Sequence, residues 1–196
     1  MSYILILIGV TFIIAGGLSL KKHTNPSKTV TTGSMIENAL SQEQASSQKK
    51  GLDFEVFVMD HFNNKYFKLL NWRGDKINKG RYPESNRYPD MEYELLTNKR
   101  EQFAVECKWR KSFQNGVINW ATEEQIEIYN KFAENRKMNV IIVIGLGGEP
   151  SNPESIYAIP LRSLKYSIAK QSYLEQFKRE DVQRKFFYNS KMGTLE

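Results

Sequence analysis

Apolar and polar positions change period several times along the chain, and each change marks an element. Residues 3–20, YILILIGVTFIIAGGLSL, carry no charge over 18 positions. As a helix this run would span about 27 Å, the thickness of a bilayer core. Residues 21–50 are polar and poor in aromatics, with no sustained period beyond a weak helical turn near Met35 to Leu40. That composition predicts a flexible tether, reaching about 30 Å on average. From Gly51 the pattern becomes that of a folded domain. GLDFEVFVMDHFNNK has helical period, with Phe54, Val58, Met59 and Phe62 on one arc together with Leu52 and Val56. YFKLLNW predicts a short strand. YPDMEYELL and EQFAVECKW predict two strands joined by TNKR as a hairpin. ATEEQIEIYNKFAENRK returns to helical period, and NVIIVIGLG is the continuous apolar run of a strand covered on both faces. IYAIPL predicts one more strand, and the chain from Arg162 reads as helical and basic. The order helix, three strands, helix, strand predicts an α/β fold with a mixed sheet flanked by helices.

Composition narrows the class. The chain has 196 residues, 40% hydrophobic and 26% charged, as expected of a globular domain with appendages. One cysteine, Cys107, rules out a disulfide framework within the chain. No Lys or Arg precedes the first apolar run, whereas Lys21 and Lys22 follow it directly. That asymmetry favours a retained single-pass anchor over a cleaved signal peptide, with the bulk domain on the cytoplasmic side. The net charge of +6 admits an anionic partner, either nucleic acid or a lipid surface.

Candidate chemistry emerges where polarity breaks the apolar pattern. In FAVECK, Phe103, Val105 and Cys107 share one strand face, while Ala104, Glu106 and Lys108 share the other. An edge strand with a solvated face would explain the second set. Cys107 is expected as a small buried hydrophobe. In the first helix Glu55 falls within the apolar arc, where a carboxylate needs a cation, a donor or a metal. In the second, Gln125 falls among Ala121, Ile126, Tyr129 and Phe132. Polar groups converging inside an apolar layer are what a site looks like in sequence. A basic stretch, residues 65–87, carries Lys65, Lys68, Arg73, Lys76, Lys79, Arg81 and Arg87. GLGGEP at 145–150 lacks the full glycine fingerprint of a phosphate loop and reads as a turn at a strand end.

Pro89-Asp90 followed by Glu106-Cys107-Lys108 resembles the PD-(D/E)XK signature of the restriction-endonuclease-like nucleases. Glu55 matches the acidic residue often found on the first core helix of that superfamily. QIEIY, residues 125–129, resembles the Q-x-x-x-Y element of some branches. The resemblance covers residues 51–161 and the element order of an αβββαβ core. It implies a domain at 51–166, preceded by the anchor at 1–20 and the linker at 21–50, and followed by a basic helical extension at 167–196.

The resemblance also implies an activity: a membrane-anchored, magnesium-dependent (endo)deoxyribonuclease, with Mn2+ as a substitute metal. Asp90 and Glu106 would be metal carboxylates, the backbone carbonyl of Cys107 a further ligand, and Glu55 a holder of a second ion or its water. Lys108 would orient the attacking water, with Gln125 and Tyr129 as positioning residues. The expected partner is nucleic acid, DNA before RNA, gripped by the basic stretch, with the membrane met through residues 3–20 and anionic lipid as a further contact. A non-catalytic nucleic-acid-binding module and a membrane-tethered scaffold on the same fold are the alternatives.

Overall fold

The computed structural model describes residues 32–74, 87–97 and 99–196. The expected anchor at 3–20 lies outside them. Among the described residues no helix is long and apolar enough to cross a membrane.

A first helix, α1 (Thr32–Asp60), leads into β1 (Phe67–Trp72), β2 (Met91–Leu95), β3 (Gln102–Arg110) and the short β4 (Val117–Asn119). Then come α2 (Glu123–Arg136), β5 (Asn139–Leu146), β6 (Ser155–Pro160), β7 (Ile168–Lys170), the single-turn α3 (Gln171–Leu174), β8 (Tyr188–Asn189) and β9 (Thr194–Leu195). The central sheet has five strands in the order β1-β2-β3-β5-β6. Only the β3–β5 pairing is parallel. The crossover between these two strands carries α2, as a parallel neighbour requires. The fold is thus a mixed α/β sheet flanked by helices, in the expected element order.

Alternation along β3 assigns its two faces. Phe103, Val105 and Cys107 join Phe54, Phe57 and Val58 of α1, and Phe62 just beyond it, in one core. Ala104 joins Ile126, Tyr129 and Phe132 of α2 in the other. β3 is the middle strand of the sheet, so its polar face is not that of a solvated edge. Gly145 in β5 lets α1 approach closely: a Cβ there would collide with the Phe54 ring.

Three expectations are corrected. Residues 32–50 are not a loose tether but the first half of α1, and residues 39–50 are all exposed. Gln, Glu, Ala, Leu and Lys are good helix formers and continue the helix that the core begins. Within the buried half, Phe57 takes the place expected of Leu52 and Val56, which stay on the solvent side. The C-terminal 35 residues are mostly irregular chain and short strand pairs, not helix. There Leu174, Phe186, Tyr188 and Leu195 dock into the two cores, and tertiary burial overrides helical propensity.

Candidate active site

The hairpin of β2 and β3 brings the two motif carboxylates together. Met91 pairs with Val105, so the register sets Asp90, one step earlier, opposite Glu106. Cross-strand partners share a face and lie within side-chain reach. Each is only 1% exposed. Asp90 Oδ2 accepts the Cys107 N–H at 2.8 Å. Glu106 Oε1 accepts the Tyr129 hydroxyl at 2.7 Å and the Lys108 ammonium, an ion pair on the same strand face. The Lys108 side chain is 15% exposed and its Nζ lies 6.0 Å from the centre of the Tyr129 ring. Burial, then the Glu106 charge and its hydrogen bond, push the Tyr129 hydroxyl well above its ordinary range. Tyr129 therefore keeps its proton and is a fixed hydrogen-bond donor to Glu106, not a base.

Glu55 reaches the same cleft from α1, although α1 packs on the sheet face opposite α2. It is 7% exposed, and its Oε2 accepts the Trp72 indole N–H at 3.0 Å. A bulge in β1 makes this contact. Leu69 pairs with Tyr93 but Asn71 with Glu92 and Trp72 with Met91, so one extra residue turns Trp72 onto the α1 face. Without that residue, strict alternation would aim the indole away from Glu55.

Glu55, Asp90, Glu106, Cys107 and Lys108 line one cleft of about 840 Å³. It is also lined by Glu43 and residues 45–52 of α1, by Gly74, and by Trp109 and Arg110 of β3 with Lys111 just past it. Arg110 is committed to the wall: it donates to the carbonyls of Trp109, Asn119 and Trp120. Cys107 presents its side chain to the α1-side core, as expected of a structural thiol.

Two expected residues are used elsewhere. Gln125 does not line the cleft. Its side-chain oxygen accepts the Thr122 N–H at 3.0 Å while Thr122 Oγ1 accepts the Gln125 N–H at 3.2 Å, a capping box that starts α2. Arg73, expected among phosphate-binding residues, is buried. It donates to the Pro89 carbonyl at 2.6 Å and pairs with Glu92, while its backbone N–H reaches the Asp90 carbonyl at 2.8 Å. It therefore locks the turn that presents Asp90. Arg87 is exposed and pairs with Glu124. Lys76, Lys79 and Arg81 lie outside the described residues.

Trp72 and the lysines on the cleft wall, Lys49, Lys50 and Lys111, were not singled out by sequence reasoning. The bulge leaves no sequence signal, and the wall lysines sit in segments without a strand or helix period of their own.

The donor set suits a hard divalent cation. Asp90 and Glu106 offer carboxylate oxygens from facing strand positions, with Glu55 on the same cleft. Among the described residues no group of three or more His, Cys, Asp or Glu is placed to hold a metal ion.

No family model matches the chain, and no curated protein matches it. Among solved structures the chain is similar to Hjc of Archaeoglobus fulgidus, a Holliday junction resolvase from an archaeal hyperthermophile. The identity is 18%, the match covers 65% of this chain and 88% of that one, and the TM-score is 0.45.

Proposed function

We propose that the chain is a metal-dependent nuclease of the PD-(D/E)XK kind that hydrolyses phosphodiester bonds in DNA. One observation carries this reading: Asp90, Glu106 and Lys108, the residues of the motif, meet on the wall of one open cleft that Glu55 also lines.

A divalent cation held by Asp90 and Glu106, with Glu55 and the Cys107 carbonyl alongside, would polarise the phosphate and lower the pKa of a water. The chain's own groups prepare that site. The Cys107 N–H holds one oxygen of Asp90, and Tyr129 with Lys108 holds one oxygen of Glu106, so neither carboxylate need search rotamers as substrate arrives. Trp72 does the same for Glu55. Lys108, a cation on the cleft wall, stabilises negative charge developing on the phosphate oxygens and orients the incoming water. Arg73 supports this arrangement from behind by fixing the chain at Pro89 and Asp90.

Membrane tethering through residues 3–20 belongs to the same proposal. Resistance to carbonate extraction supports it; a soluble, shortened product removes it. The activity is tested on the purified full chain in detergent, incubated with plasmid, linear and single-stranded DNA and with RNA, in magnesium, manganese or EDTA. Metal-dependent cleavage is expected. A well-folded chain that binds these nucleic acids without cutting any of them would be a binding module instead.

A further inference from the structure

We infer that the solvent-exposed half of α1 is a substrate-binding arm: residues 43–52, with Lys111 just past the end of β3, grip the phosphate backbone of a nucleic-acid strand lying in the cleft. This rests on the nuclease reading of the same cleft and names the surface on which the strand lies.

The arm has no core function. Residues 39–50 are exposed, Leu40 included, and burial begins only at Phe54. A helix without an apolar stripe gains little from packing and is marginal by itself. From Glu43 to Glu55 it runs about 18 Å at 1.5 Å per residue, along one side of the cleft. Of the residues it contributes to the lining, Glu43, Ser46, Ser47 and Lys50 share one helix face by their three- and four-residue spacing, and Gln48 and Lys49 flank it. Lys111, just past the end of β3, lines the same cleft. Among the described residues neither Lys50 nor Lys111 is ion-paired, and both are exposed.

Lys49 bonds Asp53 at 2.7 Å, an exposed i,i+4 pair. Such pairs are worth a few tenths of a kcal/mol and exchange readily for a phosphate. The arm and Lys111 bring three lysines and one carboxylate, Glu43, to a cleft that also holds Asp90 and Glu106: phosphates would meet the lysines, and the strand segment between them would lie over Asp90 and Glu106. A flat lipid surface would not reach into such a concave site. Contacts to phosphate carry no sequence information, so the arm binds without base preference.

The test uses the full chain in detergent, with Glu106→Gln to stop turnover. Lys50→Glu/Lys111→Glu is compared with Lys76→Glu/Lys79→Glu/Arg81→Glu in the basic stretch. Affinity for a fluorescein-labelled DNA is read by anisotropy over a KCl series, with melting curves to check folding. The arm variant should bind at least tenfold more weakly at about 0.1 M salt, and its log K against log salt slope should fall by about two. The variant of the basic stretch should lose less affinity than the arm variant. Should Lys50→Glu/Lys111→Glu fail to fold, Lys50→Gln/Lys111→Gln replaces it, with the same loss of slope expected. Unchanged affinity in the arm variant with loss in the variant of the basic stretch overturns the inference and leaves the nuclease reading standing. No DNA binding by a folded parent chain overturns both. Loss of binding to phosphatidylserine vesicles in the arm variant, with DNA binding intact, would make the arm a lipid contact and overturn it as well.

Discussion

The β2–β3 hairpin buries two groups of charges, and they differ in what can reach them. Arg73 and Glu92 form an ion pair at 8% and 6% exposure that lines no part of the cleft. Arg73 is further tied to Pro89 and lies 5.9 Å from the centre of the Tyr88 ring. Two residues along from Glu92 and from its partner Ala104, Asp90 and Glu106 are buried more deeply still, yet with the half-buried Lys108 they open onto 840 Å³ of cleft. Burial alone therefore does not separate structural charge from chemical charge. Access does: the first group is sealed and can only hold the fold, whereas the second can meet a ligand.

If this contrast is right, substitutions in the two groups should fail in different assays. Glu106→Gln keeps the shape of the side chain and removes its charge. It should lower cleavage on the order of a thousandfold or more, about 4 kcal/mol of barrier, with little change in melting temperature. Asp90→Asn should act alike, since its amide oxygen can still accept the Cys107 N–H. Arg73→Met should do the reverse. It strands Glu92 in the interior and should cost about 3–5 kcal/mol in urea unfolding. Adding Glu92→Leu should recover much of that loss, because the stranded charge is then gone. If Arg73→Met lowers turnover while leaving stability untouched, the pair is not the sealed lock described.

The groups that orient the carboxylates come next. Tyr129→Phe removes a hydrogen bond to a charged acceptor, worth about 1.5–3 kcal/mol. It should reduce turnover about tenfold and also lower stability, since Tyr129 belongs to the α2-side core. Trp72→Phe should have a smaller effect, a few-fold in turnover with stability nearly unchanged, because the indole is 41% exposed. Equal turnover in Trp72→Phe and wild type would remove Trp72 as a positioning residue for Glu55.

How much of this could be read from sequence depended on whether a residue obeys a period. Glu106 and Lys108 share a face by strict alternation, and the hairpin at TNKR fixes the opposite strand, so the Asp90–Glu106 meeting follows from pattern. Glu55 follows likewise from its angle on the α1 arc. Trp72 does not, because the β1 bulge breaks the alternation that such an argument needs. Arg73 looks like one more cation in a basic stretch, and only the fold reveals its partner. Gln125 was legible by a different rule: Thr122 and Gln125 have capping-box spacing ahead of an apolar run, and that local use competes with an inward role. The exposed half of α1 was hidden because a helix with no apolar face has no hydrophobic period to read.

The smallest expected effect lies outside the hairpin. His61 is 5% exposed, with Nδ1 2.7 Å from the Phe57 carbonyl. Burial, with Lys185 and Arg179 nearby, lowers its pKa below the ordinary value of 6.5. The unfolded chain then takes up this proton at a higher pH than the folded one. The resulting stability is complete above about pH 6.5 and declines as the pH falls below it. Urea midpoints measured from pH 8 to 5 should fall more steeply in wild type than in His61→Leu.

The central claim is that the hairpin's second group of charges is built to hold a divalent cation against a phosphodiester. Crystals of the full chain soaked in manganese test it most directly, through the anomalous signal of the metal. A peak is expected in the cleft, touching both Asp90 and Glu106 and missing from Glu106→Gln crystals. A fully occupied manganese site elsewhere, with nothing between those two carboxylates, would contradict it.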